Sequence, residues 1–74
     1  MSNRRAHGPG IRAIRESLGI PHGKFAVAVG ISPGYLTNIE KAVKQPSDAV
    51  IAAMALRLGV TIDQITYPLE RVAS

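Results

Sequence analysis

Between His22 and Lys44 the chain carries side chains suited to recognising flat hydrogen-bonding edges and phosphates, and none arranged to make or break covalent bonds. Asn38 offers a carboxamide, donor and acceptor side by side, which matches the N6/N7 edge of adenine. Thr37 beside it offers a methyl that can rest on the methyl of thymine. Pro33 and Gly34, just before them, read little by hydrogen bonding, but Gly34 lets a backbone come close. His22, Ser32, Tyr35, Lys41 and Lys44 supply the N–H, O–H and ammonium donors that phosphate oxygens accept. Arg4 and Arg5 stand apart near the N-terminus, where they could reach into a narrow minor groove. Against this, there is no acid–base pair, no nucleophile constellation and no glycine-rich phosphate loop, so an enzyme is the least favoured class. His7 and His22 lack carboxylates at ligand spacing and are not expected to hold a metal; no cofactor is implied.

Groups of this kind work only if an element holds them outward, and the stretch His22–Lys41 has the spacing for one. Ala26 is small where two backbones must approach, Gly30 can take a positive φ in a tight turn, and Leu36 and Ile39 share a face that points back. Two helices, near 22–29 and 33–40, crossing steeply through a short turn would use all four: a helix-turn-helix. Ser32 caps the second, outward helix, and Pro33 at its first position is pre-set for helical φ.

The remaining elements must supply a core behind that motif. Ile11, Ile14 and Leu18 fall on one face of a helix opening near Pro9 and stopped by Gly19. Phe25, Ala26 and Val29 form the buried face of the next helix, which lacks a capping side chain after Pro21. A polar linker, 41–46, is expected to be irregular. Ser47 then caps a helix whose inward face is Ile51, Met54, Ala55 and Leu58 and which Gly59 ends. Thr61 and Gln64 have the spacing of a capping box, predicting a short fifth helix over about 62–66 with Ile62 and Ile65 closing the base of the core. The expectation is an all-α, compact five-helix bundle: a flexible basic arm over 1–8, a helix-turn-helix domain over 9–68 and a C-terminal tail over 69–74.

Composition narrows the partners. The net charge is +4, and it is concentrated: residues 1–24 hold Arg4, Arg5, Arg12, Arg15 and Lys24 against Glu16 alone, whereas the rest of the chain balances. A basic end on a neutral body points to a polyanion. The absence of cysteine removes disulfides and thiolate chemistry and suits a cytoplasmic protein. No apolar run is long enough to span a membrane.

At this point the residues resemble a known family, the Cro/phage-repressor-type (lambda-repressor-like, XRE) helix-turn-helix DNA-binding proteins. The resemblance covers about residues 10–66. It is carried by Leu18-Gly19-Ile20, Phe25-Ala26, Val29-Gly30-Ile31-Ser32, Tyr35-Leu36, Asn38-Ile39-Glu40, Pro46-Ser47 and Leu58-Gly59-Val60, in that order and spacing. It implies a sequence-specific regulator of transcription, a repressor of phage or prophage type, that inserts helix 33–40 into the major groove of double-stranded DNA. The family's arginine of helix 1 and glutamate ending helix 3 correspond to Arg15 and Glu40, so a structural ion pair is expected. Four features depart from the pattern. Pro21-His22 replaces the usual Ser-Gln, Ala42 replaces the glycine after helix 3, Asp48 replaces a leucine, and the outward helix has no Arg, Lys or Gln before Lys41.

The site then reads as base contacts from Pro33, Gly34, Thr37 and Asn38, backbone contacts from His22, Ser32, Tyr35, Lys41 and Lys44, and a minor-groove arm from Arg4 and Arg5. The family's habit of pairing through C-terminal helices makes Leu56, Ile62, Tyr67 and Leu69 a candidate homodimer surface. The competing class is an antitoxin or a protein-interaction helix-turn-helix module, favoured by the thin set of base-reading groups and by aliphatics off the inward faces, among them Val27 and Leu56.

Overall fold

Side-chain caps punctuate the chain. In the computed structural model, which describes residues 4–68, His7 Nδ1 accepts from the Gly10 amide and Ser32 Oγ from that of Tyr35. Ser47 Oγ accepts from the Val50 amide, and Thr61 with Gln64 closes a reciprocal capping box. Each bond satisfies an amide that the first turn of a helix leaves without an intrahelical acceptor, and each fixes where an element begins. The order is β1 (Arg4–Ala6), α1 (Gly8–Ser17), α2 (His22–Ala28), α3 (Pro33–Glu40), α4 (Asp48–Leu58), a single 3-10 turn (Ile62–Ile65) and β2 (Thr66–Pro68). Among the described residues no helix is long and apolar enough to cross a membrane.

The helix-turn-helix forms where the spacing predicts it. Gly30, at φ 80°, turns the chain between α2 and α3, and the Ile31 amide reaches back to the Ala26 carbonyl at 2.9 Å. A Cβ at this φ would meet the following carbonyl, which is why glycine stands there. Ala26 is fully buried at the crossing, and Leu36 and Ile39 turn inward beside it. Phe25, fully buried, shares one core cluster with Ile11, Ile51, Met54, Ala55, Leu58 and Ile65. Burial of this aliphatic shell packs the four helices together.

Four expectations need correcting. The fifth helix is a one-turn 3-10 segment: Thr61 opens it as predicted, but Thr66 is already extended (φ −140°, ψ 169°) and enters a strand. The structure therefore has four α-helices and a two-stranded antiparallel sheet in which Arg5 faces Tyr67 and Ala6 faces Thr66. The same sheet removes the free arm as far as residues 4–6 are concerned. Ala6 is buried, its amide donates to Gln45 Oε1 at 2.9 Å, and the His7 amide donates to the Ile65 carbonyl at 2.8 Å. Residues 1–3 and the tail 69–74, including Leu69, lie outside the described residues.

Leu18 and Ile62 are surface residues rather than core, at 54% and 39% exposure. Leu18 follows the last helical residue of α1, so the helical spacing that would aim it inward has ended. Ile62 opens the 3-10 turn at the surface, whereas Ile65, which ends it, is fully buried. Finally, the linker 41–46 is ordered by specific bonds. Ala42 takes the left-handed φ of 64° that a glycine would adopt freely, and the Val43 amide caps the Asn38 carbonyl at 2.8 Å.

Candidate nucleic-acid interface

The outward helix is mounted at its C-terminal end. Arg15, buried on α1, sends Nε to Glu40 Oε2 at 2.9 Å and Nη2 toward Oε1 at 3.4 Å. Its third arm, Nη1, donates to the Ile20 carbonyl at 2.8 Å. One guanidinium thus joins α1, the α1–α2 turn and the end of α3. The expected ion pair is present, and its two carboxylate contacts and one carbonyl contact use the planar fork that a lysine lacks. Gly8 completes the mount. A Cβ there would collide with the Ile39 carbonyl oxygen and crowd that of Glu40. The start of α1 therefore abuts the backbone at the end of α3.

Gln45 is the other piece of this mount that sequence reasoning missed. Its side chain accepts the Ala6 amide, and its carbonyl accepts the Tyr35 hydroxyl at 3.4 Å. Neither Gly8 nor Gln45 carries a local signal; the contacts join residues far apart in the chain. The cap at His7 had one, a polar side chain followed by Gly8-Pro9, with Pro9 suited to a first turn.

At its N-terminal end α3 is open to solvent. Pro33 and Gly34 are exposed, and Thr37 and Asn38 are half-buried on the same side. Among the described residues no hydrogen bond engages the Asn38 carboxamide, which leaves both its donor and its acceptor for a ligand. Ser32 accepts from the Tyr35 amide through a lone pair, so its O–H remains a donor. Lys41 and Lys44 are exposed just beyond α3. Tyr35 is half-buried, with its ring against the core cluster and its hydroxyl turned to the loop. Arg5 is exposed on β1, held in register rather than loose.

An open cleft of about 340 Å³ runs between α1, the start of α2 and α3, lined by Arg12, Arg15, His22, Thr37, Glu40 and Lys41. Its net character is basic, since Glu40 is already matched by Arg15. Arg12 is tied to Glu16 one turn along the same helix at 3.0 Å; that hydrogen bond, then the carboxylate's charge, raises the guanidinium pKa above its ordinary value. His22, half-buried, lines the cleft, with Nε2 3.2 Å from Thr37 Oγ1.

Comparisons with known proteins converge on one motif. A family model described as helix-turn-helix matches residues 11–65. An uncharacterized HTH-type transcriptional regulator of Bacillus subtilis (strain 168), YazB, is 38% identical over 58 residues, which cover 78% of this chain and 84% of that protein. Among solved structures, the clp gene regulator ClgR from Corynebacterium glutamicum superposes with a TM-score of 0.75 at 30% identity. The match covers 80% of this chain and 63% of that one, so the chain spans less than two thirds of that protein. SinR, a master regulator for biofilm formation solved in complex with DNA, superposes with a TM-score of 0.71 over 77% of this chain and 95% of its own. At 24% identity that likeness concerns the fold.

Proposed function

Because the chain belongs to the Cro/phage-repressor type of helix-turn-helix proteins, we propose that it is a transcriptional repressor that reads a specific double-stranded operator with α3 in the major groove. One observation carries the reading. The outward side of α3 carries the exposed Pro33 and Gly34 and the Asn38 carboxamide, which has no hydrogen-bond partner among the described residues, while the end of the same helix is clamped by Arg15, Glu40 and Gly8. In this geometry Pro33 and Gly34 let the helix approach the base edges, Asn38 pairs with an adenine and Thr37 meets a thymine. Ser32, Lys41 and Lys44 hold phosphates on either side, with His22 and Tyr35 at the flanks. Arg5, exposed on β1, adds its charge to the basic field of the protein. The regulator is of the compact kind encoded by phages and prophages.

Selection of bound duplexes from a random pool at stated salt tests this reading. The expected result is a defined sequence whose affinity falls steeply as salt rises, because each neutralised phosphate releases counterions. Indifference to sequence, or an affinity unchanged by Asn38→Ala, would count against it.

A single asparagine discriminates by only about 1–3 kcal/mol, so a second copy is the natural complement. Leu56 is 84% exposed on α4, and Ile62 and Tyr67 lie beyond it on the surface. We propose these as the contact of a two-fold dimer that would set two recognition helices about 34 Å apart on a pseudo-palindrome. Sedimentation at micromolar concentration checks it; a monomer throughout would remove the dimer. The exposed aliphatics also support the second reading, an antitoxin or protein-contact module. A stoichiometric protein partner, together with DNA affinity that ignores Asn38→Ala, would select that reading.

A further inference from the structure

The hydroxyl of Thr37 is held from two sides. Oγ1 lies 3.1 Å from the Pro33 carbonyl oxygen, one turn back on α3, and 3.2 Å from Nε2 of His22 on α2. A hydroxyl has one proton to give, and the Pro33 oxygen can only accept. The proton therefore goes back along the helix, the bond that helical threonines commonly make. Oγ1 then faces His22 as an acceptor, and Nε2 carries the hydrogen. Turning χ1 of Thr37 would break both bonds at once, so its rotamer is set. What the side chain has left to offer a ligand is its methyl. With Nε2–H directed at Thr37, the nitrogen left over is Nδ1, which in this tautomer carries a lone pair and accepts rather than donates. The charged groups around the pair are otherwise occupied or distant in role: Arg15 and Glu40 bind each other, Arg12 binds Glu16, and Lys41 shares the cleft without bonding to either member.

We propose that His22 is a positioning residue for the recognition helix: its Nε2–H holds the Thr37 hydroxyl so that Thr37 meets the groove methyl first and reads the C5-methyl of thymine. This rests on the reading of α3 as the major-groove helix. It changes what His22 does there, from gripping the DNA backbone to setting the aim of a base-reading side chain.

The test uses the full chain and a duplex it selects from the random pool, with each thymine replaced in turn by deoxyuridine, which removes the methyl and nothing else. Wild type should show one thymine per bound helix whose replacement weakens affinity about fourfold, the worth of one buried methyl group. Thr37→Ser should abolish that preference. His22→Ala should bring it below about twofold, and His22→Gln, which returns an N–H donor, should restore it. Thr37→Val keeps a methyl on a side chain that a helix already locks, so its preference should survive His22→Ala.

The last two comparisons remain readable if His22→Ala lowers stability. The proposal is overturned if no thymine is preferred, or if His22→Ala weakens thymine and deoxyuridine duplexes equally and leaves the ratio intact, the signature of a phosphate contact alone. If the pool yields no duplex with salt-dependent affinity, the assignment of α3 to DNA fails first and takes this one with it.

Discussion

The two ends of α3 do opposite jobs with opposite chemistry. The C-terminal end buries Glu40 against Arg15, presses its carbonyls on Gly8 and is followed by an ordered turn through Gln45. The Arg15 guanidinium and the Glu40 carboxylate there both find their partners within the protein. The N-terminal end has a cap at Ser32 and then Pro33, Gly34 and Asn38, whose surfaces meet solvent or wait for a ligand. A short helix cannot hold itself rigid in water, since isolated helices of this length are marginal. Fixing one end through buried contacts allows the other to stay unsatisfied and still keep its geometry. On the proposed function, stability and recognition are divided along a single helix of eight residues.

Substitutions at the two ends should therefore separate cleanly. The largest effect is expected from Glu40→Ala, which leaves Arg15 buried without its carboxylate and should cost about 3–5 kcal/mol in urea unfolding, enough to unfold much of so small a domain. Replacing both partners by apolar residues should recover most of that loss, which would show that the pair fixes geometry more than it adds stability. Gly8→Ala comes next: the added Cβ meets α3 backbone that cannot swing aside, and a loss of about 1–3 kcal/mol should appear as a lower thermal midpoint.

At the open end the pattern should invert. Asn38→Ala should change stability by no more than about 0.5 kcal/mol, yet weaken the selected duplex by about 1–3 kcal/mol in titrations, with loss of preference for adenine at one position. An equal loss at both readouts would blur the division argued above. The smallest effect is a gain. Ala42→Gly relieves a left-handed φ at the exit from the clamped end and should stabilise by about 0.5–1 kcal/mol, net of glycine's greater freedom when unfolded. DNA affinity should not follow it.

What could be read in advance was local in the chain. The turn at Gly30, the caps at Ser32, Ser47 and Thr61, and the inward faces Phe25-Ala26-Val29 and Ile51-Met54-Ala55-Leu58 all appear where their spacing places them. Each depends on residues within a turn or two of one another, and the periods of a helix convert directly into faces. Arg15 and Glu40, separated by much of the chain, were found through family resemblance and not through spacing. The strand pair escaped notice because three residues in each strand make no alternation that stands out, and their partners lie at opposite ends of the chain. The fifth helix stops at one turn for the same reason: the capping box is local and real, but pairing with β1 claims Thr66 before a second turn can form.

The order of residues by itself determined which segments are helical, where they begin and which sides they hide, because capping bonds and hydrophobic period act over a few positions. Tertiary structure alone decided that Gly8 must be bare, that Gln45 ties down Ala6, and that His22 faces the hydroxyl of Thr37. Those contacts exist only once separate elements have packed, and their distances are set by the whole core rather than by any neighbour along the chain.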